Sequence, residues 1–256
     1  MGFRVIIPAR YASQRLPGKP LRSIAGRPMI QHVWERARQS GADQVVVATD
    51  DSRIAEAVAG FGGEVCLTAT SHRSGTERLA EAARSIGCKG GEVVVNLQGD
   101  EPLMPPTLIA QVANALAQRP EVPLATLCTP IAHVHDLFDR NVVKLVRDAE
   151  DCALYFSRAP IPWHRDEFAV QTDCLPEDGT PFMRHIGLYA YRADFLAEYV
   201  AWPPSPLEAA ESLEQLRVLW HGRRILAEVA ETVPGPGVDS EDDLQRVESL
   251  LRAAAS

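Results

Sequence analysis

The 256 residues predict an α/β protein with a mostly parallel sheet covered by helices on both faces and a strand-rich lobe inserted late in the chain. Two observations predict it. In the first half, short apolar runs alternate with segments of helical periodicity. In the middle, apolar runs succeed one another with no long helix between them.

The run over residues 3–8 is too short for a helix and reads as a strand. Residues 29–40 carry Ile30, Val33, Trp34 and Ala37 on one helical face. A second strand is expected over 44–49, after which Asp50 or Asp51 caps a helix through Val58. Residues 64–68 form another strand. Ser74-Gly75-Thr76-Glu77 has the capping-box pattern and leads into Leu79, Ala82, Ala83 and Ile86 at helical spacing. A fourth strand covers 92–97, and Pro105-Pro106 opens a helix through Ala117. Strands follow at 122–130, 142–147, 152–157 and 185–191, with a proline- and charge-rich loop over 158–181. A helix over 208–221, a strand over 225–230 and a helix over 240–255 close the chain, the last with Leu244, Val247, Leu250 and Leu251 inward. No repeat or linker divides it. One domain over 1–256 is expected, with a core from about 1–120 and 205–256 and the lobe over 121–204.

The formal net charge of −8 argues against a general nucleic-acid binder, which needs clustered Lys and Arg. No apolar stretch approaches the roughly 20 residues that span a bilayer, and no signal peptide is visible, so a cytoplasmic protein is expected. The five cysteines form no CxxC pair, and reduced thiols are the simplest reading.

Sheets of this kind bind ligands beyond the carboxyl ends of their strands. That places the loops after Pro8, Asp50 and Gln98 on one edge. Residues 8–21, PARYASQRLPGKPL, hold Arg10, Arg15 and Lys19 beside Gly18 and three prolines. Cations and backbone N–H groups on a fixed path suit a triphosphate; a solvated basic loop is the alternative. Neither a P-loop nor a dinucleotide fingerprint is present, since Pro20 follows Lys19 and no GxGxxG follows the first strand.

Ile7-Pro8-Ala9-Arg10, Arg15-Leu16-Pro17-Gly18-Lys19-Pro20 and Gly26-Arg27-Pro28-Met29 resemble the start of a sugar nucleotidyltransferase. Further motifs narrow the resemblance: Ser74-Gly-Thr-Glu-Arg78, Asn96-Leu-Gln98-Gly-Asp100-Glu-Pro102, Tyr155-Phe-Ser-Arg158, Arg184-His185-Ile-Gly-Leu-Tyr189, Leu213-Glu-Gln-Leu-Arg217 and Pro236-Gly-Val-Asp239. Together they resemble the 3-deoxy-manno-octulosonate (Kdo) cytidylyltransferase family, in order, from Val5 to about Val247. The loop around 171–180 aligns least well.

The resemblance implies a Rossmann-like, three-layer nucleotide-diphospho-sugar transferase fold and transfer of CMP from CTP to Kdo for lipopolysaccharide biosynthesis. It implies Mg2+ on Asp100 and Asp239, a homodimer, and sugar binding in the 121–204 lobe. Arg10 and Lys19 join the two carboxylates as catalytic candidates. Ala9, Arg10, Arg15, Lys19, Ser74, Gly75, Arg78 and Gln98 are nucleotide candidates. Gln98, Arg158, His185, Tyr189, Glu211, Glu214 and Gln215 are sugar candidates. Alternatives stand beside these roles: Asp239 as a helix cap that Ser240 could equally supply, Asp100 as a turn residue before Pro102, Ser74 as a cap only. Glu211, expected to share a helix face with Glu214 and Gln215, could belong to a solvated polar face. Rival functions are a cytidylyltransferase for another sugar acid or polyol phosphate and a non-catalytic nucleotide-binding regulator.

Overall fold

The structure, a computed structural model, describes residues 2–12, 15–170 and 172–254. Ser13 and Gln14 of the cation-rich segment, Gln171 of the long loop and Ala255 of the last expected helix lie outside the described residues. The chain opens with β1 (Phe3–Ala9), a 3-10 turn (Lys19–Leu21), the hairpin β2 (Ser23–Ile24) and β3 (Arg27–Pro28), and α1 (Met29–Gln39). Alternation follows: β4 (Gln44–Thr49), α2 (Ser52–Gly60), β5 (Glu64–Leu67), α3 (Gly75–Ser85), β6 (Val93–Asn96) and α4 (Pro106–Gln118). The middle holds β7 (Leu124–Pro130), α5 (Val134–Phe138), β8 (Lys144–Arg147), β9 (Ala153–Ser157) and β10 (Met183–Arg192). Then come α6 (Ala193–Ala201), α7 (Pro206–Glu211), α8 (Leu216–Trp220), β11 (Ile225–Val229) and α9 (Glu241–Ala254).

The sheet runs β11-β7-β10-β6-β1-β4-β5, with β8 and β9 off this path. Along this path pairing is parallel except at β10, which lies antiparallel to β6 and β7; β8 and β9 add further antiparallel pairs. The strands β1, β4 and β6 are runs of mostly apolar, buried residues because both faces are covered. Val5, Ile7 and Ala9 pack with residues of α1, α2 and α4; Ile6 and Val46 pack with residues of α3, α6 and α8. This is the three-layer α/β arrangement that the alternating pattern predicts. No helix among the described residues is long and apolar enough to cross a membrane.

Local chemistry decides the helix starts. Asp51, not Asp50, caps α2 by accepting from Arg53 N at 3.0 Å. Ser74 caps α3 through Glu77 N at 3.2 Å, but the return half of the expected box is displaced by one residue: Glu77 Oε2 accepts from Arg73 N at 2.8 Å.

Three expectations need correction. The 121–204 segment is not a lobe apart: β7 and β10 are interior strands of the central sheet, and only β8 and β9 extend from it. Helices α5 and α6 escaped notice; α6 follows β10 with no loop and no side-chain cap, so nothing in the sequence separates it from the strand. The helix expected over 208–221 is two helices, broken at Ser212, whose φ is 51°. In one continuous helix Glu208 and Arg217, about 100° per residue over their spacing, would face opposite ways. The break brings them together, with Arg217 Nη2 2.5 Å from Glu208 Oε1 and Nε 2.8 Å from Oε2. Glu211 therefore does not share a helix face with Glu214 and Gln215. Left-handed backbone disfavours Ser by roughly 1–2 kcal/mol, partly offset by the entropy that glycine adds to the unfolded chain. Ser212→Gly should accordingly raise stability by up to about 1 kcal/mol in a denaturant titration.

Candidate active site

Parallel pairing of β1 with β6 puts their carboxyl ends on one edge, with Ile6 opposite Asn96. Arg10 leaves the first strand there, and Gln98 and Asp100 leave the second. Between them opens a cavity of about 490 Å³. Ala9, Arg10, Arg15, Lys19, Ser74, Gly75, Arg78, Gln98, Asp100 and Asp239 all line it, so every nucleotide candidate and both carboxylates converge.

Lys19 holds the centre. Its Nζ donates to Asp100 Oδ2 at 2.6 Å and to Asp239 Oδ1 at 3.0 Å. Burial alone would lower the ammonium's pKa, but the two carboxylates outweigh it and hold it above its ordinary value. Arg15 Nη2 adds a looser tie to Asp239 Oδ1 at 3.1 Å, on an arm 70% exposed where solvent screens it. Arg10 forms no ion pair among the described residues. Arg78 is buried and committed on one side to Asp50 Oδ2 at 3.1 Å and to Thr68 Oγ1. Ser74 serves both proposed roles, capping α3 and lining the cavity.

Asp239 reaches Asp100 across the whole chain because a small core joins their supports. Leu16, from the cation-rich segment, is buried with Ile24, Met29, Val238, Leu244 and Val247. Val238 N donates to Asp100 O at 2.9 Å. Gly237 permits this approach: a Cβ there would stand 2.9 Å from Glu101 Oε1. The cap of α9 falls to Ser240, whose Oγ accepts from Asp243 N at 3.2 Å, and this leaves the Asp239 carboxylate to the cavity. Glu101, passed over in sequence as half of an Asp-Glu pair, lies half-buried beside the site. Burial, then Asp100 and Asp239, push its carboxyl up to about 8.

Among the described residues no group of three or more His, Cys, Asp or Glu side chains is arranged to hold a metal. Two carboxylates close enough to share one ammonium do, however, suit a small hard cation that takes its remaining ligands from water and phosphate.

A second cavity of about 360 Å³ shares Arg10, Ser74, Gly75 and Gln98 with the first. Tyr189, Glu214 and Gln215 line it, as do Thr76, Asn96, Tyr191 and Tyr199, which the sequence reading did not single out. Period-two spacing could have found two of these: Tyr191 follows Tyr189 on one face of β10, and Asn96, opposite Tyr189, precedes Gln98. Thr76 Oγ1 donates to Glu214 Oε2 at 3.0 Å, and burial raises the Glu214 pKa.

Three sugar candidates stand apart from this lining. Arg158 and Glu211 are tied to each other: Glu211 Oε2 accepts from Arg158 N at 2.9 Å, and Arg158 Nε donates to Glu211 O at 2.7 Å. Ser157 Oγ takes the other carboxylate oxygen at 2.7 Å. His185 stands behind Tyr189, ring centroids 5.3 Å apart, with Nε2 3.0 Å from Thr126 Oγ1. Burial pushes its pKa down to about 3, so the imidazole is neutral. With the Thr126 hydroxyl proton given to Leu188 O at 2.9 Å, Nε2–H donates and Nδ1 remains an acceptor.

A family model described as cytidylyltransferase matches residues 4–225. The chain belongs to the cytidylyltransferase family. It is 59% identical, over 98% of its length and 98% of the relative's, to a 3-deoxy-manno-octulosonate cytidylyltransferase of Pseudomonas fluorescens. A solved structure of CMP:2-keto-3-deoxy-manno-octonic acid synthetase complexed with CTP superposes with a TM-score of 0.90 at 41% identity, over 99% of this chain and 100% of that one. A cytidylyltransferase of Leptospira borgpetersenii, 16% identical, shares the fold with a TM-score of 0.63, over 99% of this chain and 87% of that one. The family's nucleotidyltransferase chemistry thus coincides with a cavity whose cations and carboxylates come from distant parts of the sequence.

Proposed function

We propose that the protein transfers CMP from CTP to Kdo, releasing diphosphate. The observation that carries this reading is Lys19 bridging Asp100 and Asp239 where a cationic cavity meets a second cavity lined with hydroxyls, amides and a carboxylate. The anomeric hydroxyl of the sugar attacks the α-phosphorus of CTP. One P–O bond forms as the hydroxyl gives its proton to solvent, the bond to the β-phosphate breaks, and diphosphate leaves with that electron pair. Arg10, Arg15 and Lys19 neutralise the departing charge, while Ser74, Gly75 and Arg78 position the nucleotide. Gln98, Tyr189, Glu214 and Gln215 offer hydrogen bonds to the sugar's hydroxyls. Neutral His185 supports Tyr189 from behind, and the Arg158–Glu211 lock holds β9 against the end of α7. Asp100 and Asp239 would hold Mg2+, which supplies positive charge to phosphate oxygens during transfer. Kdo as acceptor fits the Kdo-specific relatives, and its carboxylate calls for a cation, for which Arg10, lining both cavities, is suited. A homodimer, a cytoplasmic setting and a place in lipopolysaccharide biosynthesis complete the proposal.

Diphosphate release with a panel of sugar acids tests it. Release is expected from CTP with Kdo and Mg2+, with little from N-acetylneuraminate and none without the metal. Equal turnover of the two sugars would overturn the acceptor assignment.

A further inference from the structure

We propose that Arg53 and Tyr11 form a clamp that positions the cation-rich segment for the triphosphate, making Arg53 a positioning residue remote from the reacting atoms. The inference rests on the reading above. Neither residue lines the nucleotide cavity. The Arg53 guanidinium lies 3.4 Å from the centre of the Tyr11 ring. It is itself fixed from below: Nε donates to Asp51 Oδ1 at 3.0 Å and Nη2 to Oδ2 at 2.6 Å. Asp51 is the cap of α2, whose Ile54 and Val58 are fully buried, so the guanidinium stands on a rigid base.

Tyr11 in turn controls the loop. Gly18 N donates to Tyr11 O at 3.2 Å, which ties Gly18 to Tyr11. Gly18 has φ +67°, and a Cβ on it would stand 3.1 Å from the Tyr11 ring, so the ring lies directly against this turn. Lys19 follows at once, and Arg10 precedes Tyr11. The two ends of the segment that deliver Arg10 and Lys19 to the cavity therefore meet at one aromatic ring, and Arg53 presses on that ring. A cation–π contact is worth most where the ring is held in place, and here Tyr11 also packs against the main core. Without the clamp, both cations keep their charge but lose their fixed spacing, and charge alone is a poor substitute for preorganisation.

The test is calorimetric binding of CTP to the full-length chain with Mg2+, beside thermal midpoints and steady-state kinetics. Arg53→Ala and Tyr11→Ala should each weaken CTP about two- to five-fold, on the scale of an exposed cation–π contact. The double variant should bind no worse than the weaker single one. Tyr11→Phe should bind as the unaltered protein does, since the ring and not the hydroxyl is used, and Arg53→Lys should recover part of the loss. In kinetics, KM for CTP should rise while KM for the sugar acid stays constant. Unchanged CTP affinity in Arg53→Ala, multiplicative losses in the double variant, or a loss that appears only with a fall in thermal midpoint would each overturn the clamp. If the unaltered protein binds CTP yet releases no diphosphate with any sugar acid, the functional reading fails while the binding measurements still decide the clamp.

Discussion

Asp100→Ala and Asp239→Ala should each lower diphosphate release from CTP by about 10²–10³-fold, the scale on which loss of one charge-stabilising group registers. The folded protein should survive both changes. The two side chains are 33% and 54% exposed, so neither leaves a cavity in the core. Each removal also leaves Lys19 a partner: Asp239 in the first variant, Asp100 in the second. Half-buried Glu101 is relieved of one neighbouring negative charge in either case. Thermal midpoints close to the unaltered protein's are therefore expected alongside the loss of turnover. A variant that retained full magnesium-dependent activity would remove its aspartate from the metal site. The outcome also separates an enzyme from a nucleotide-binding regulator, whose output would not depend on diphosphate release.

The second large effect falls on stability. Glu208→Ala should destabilise the protein by about 3–5 kcal/mol, because it strands the Arg217 guanidinium in a buried site. Glu208 and Arg217 are 8% and 6% exposed, so the solvent screening that weakens surface ion pairs does not apply. Arg217 further donates to Trp202 O at 3.3 Å and lies over the Tyr199 ring at 4.7 Å. A fall in thermal midpoint of roughly 10 °C follows for a chain of this size. The variant should also bind the sugar acid more weakly, since this pair folds α8 back on α7 and so sets Glu214 and Gln215 in the second cavity. A loss below about 1 kcal/mol would show that Arg217 finds other partners and that the pair does not hold the turn.

Much of the first half was legible because its signals are local. Strands buried on both faces are continuous apolar runs, and the helices between them open on Asp51, Ser74 and Pro105-Pro106. The edge on which the ligand loops gather followed from parallel order alone. Legibility failed where a local signal was missing or shared. Helix α6 begins with no cap at the end of a long strand. The pattern over 208–221 is helical throughout, and nothing in it marks the left-handed residue at Ser212. The alternatives for Asp239 and Ser240 were equal in sequence, since either residue type caps a helix; the hydrogen bond from Asp243 N to Ser240 Oγ settles which one does.

The cation-rich segment over 8–21 shows where the division lies. By itself the sequence determined that the chain would build a parallel α/β sheet, that Arg10, Arg15 and Lys19 would leave its first strand together, and that Asp100 would leave another strand on the same edge. These follow from periodicity, strand length and residue charge, which act between near neighbours. Only the tertiary structure decided that Asp239 joins them, that β10 runs antiparallel inside the sheet, and that Arg158 and Glu211 bind each other. Those outcomes depend on packing between residues far apart in sequence. The shared burial of Leu16 and Val238 in one small apolar cluster is the physical cause in the first case, because it draws Asp239 to Lys19.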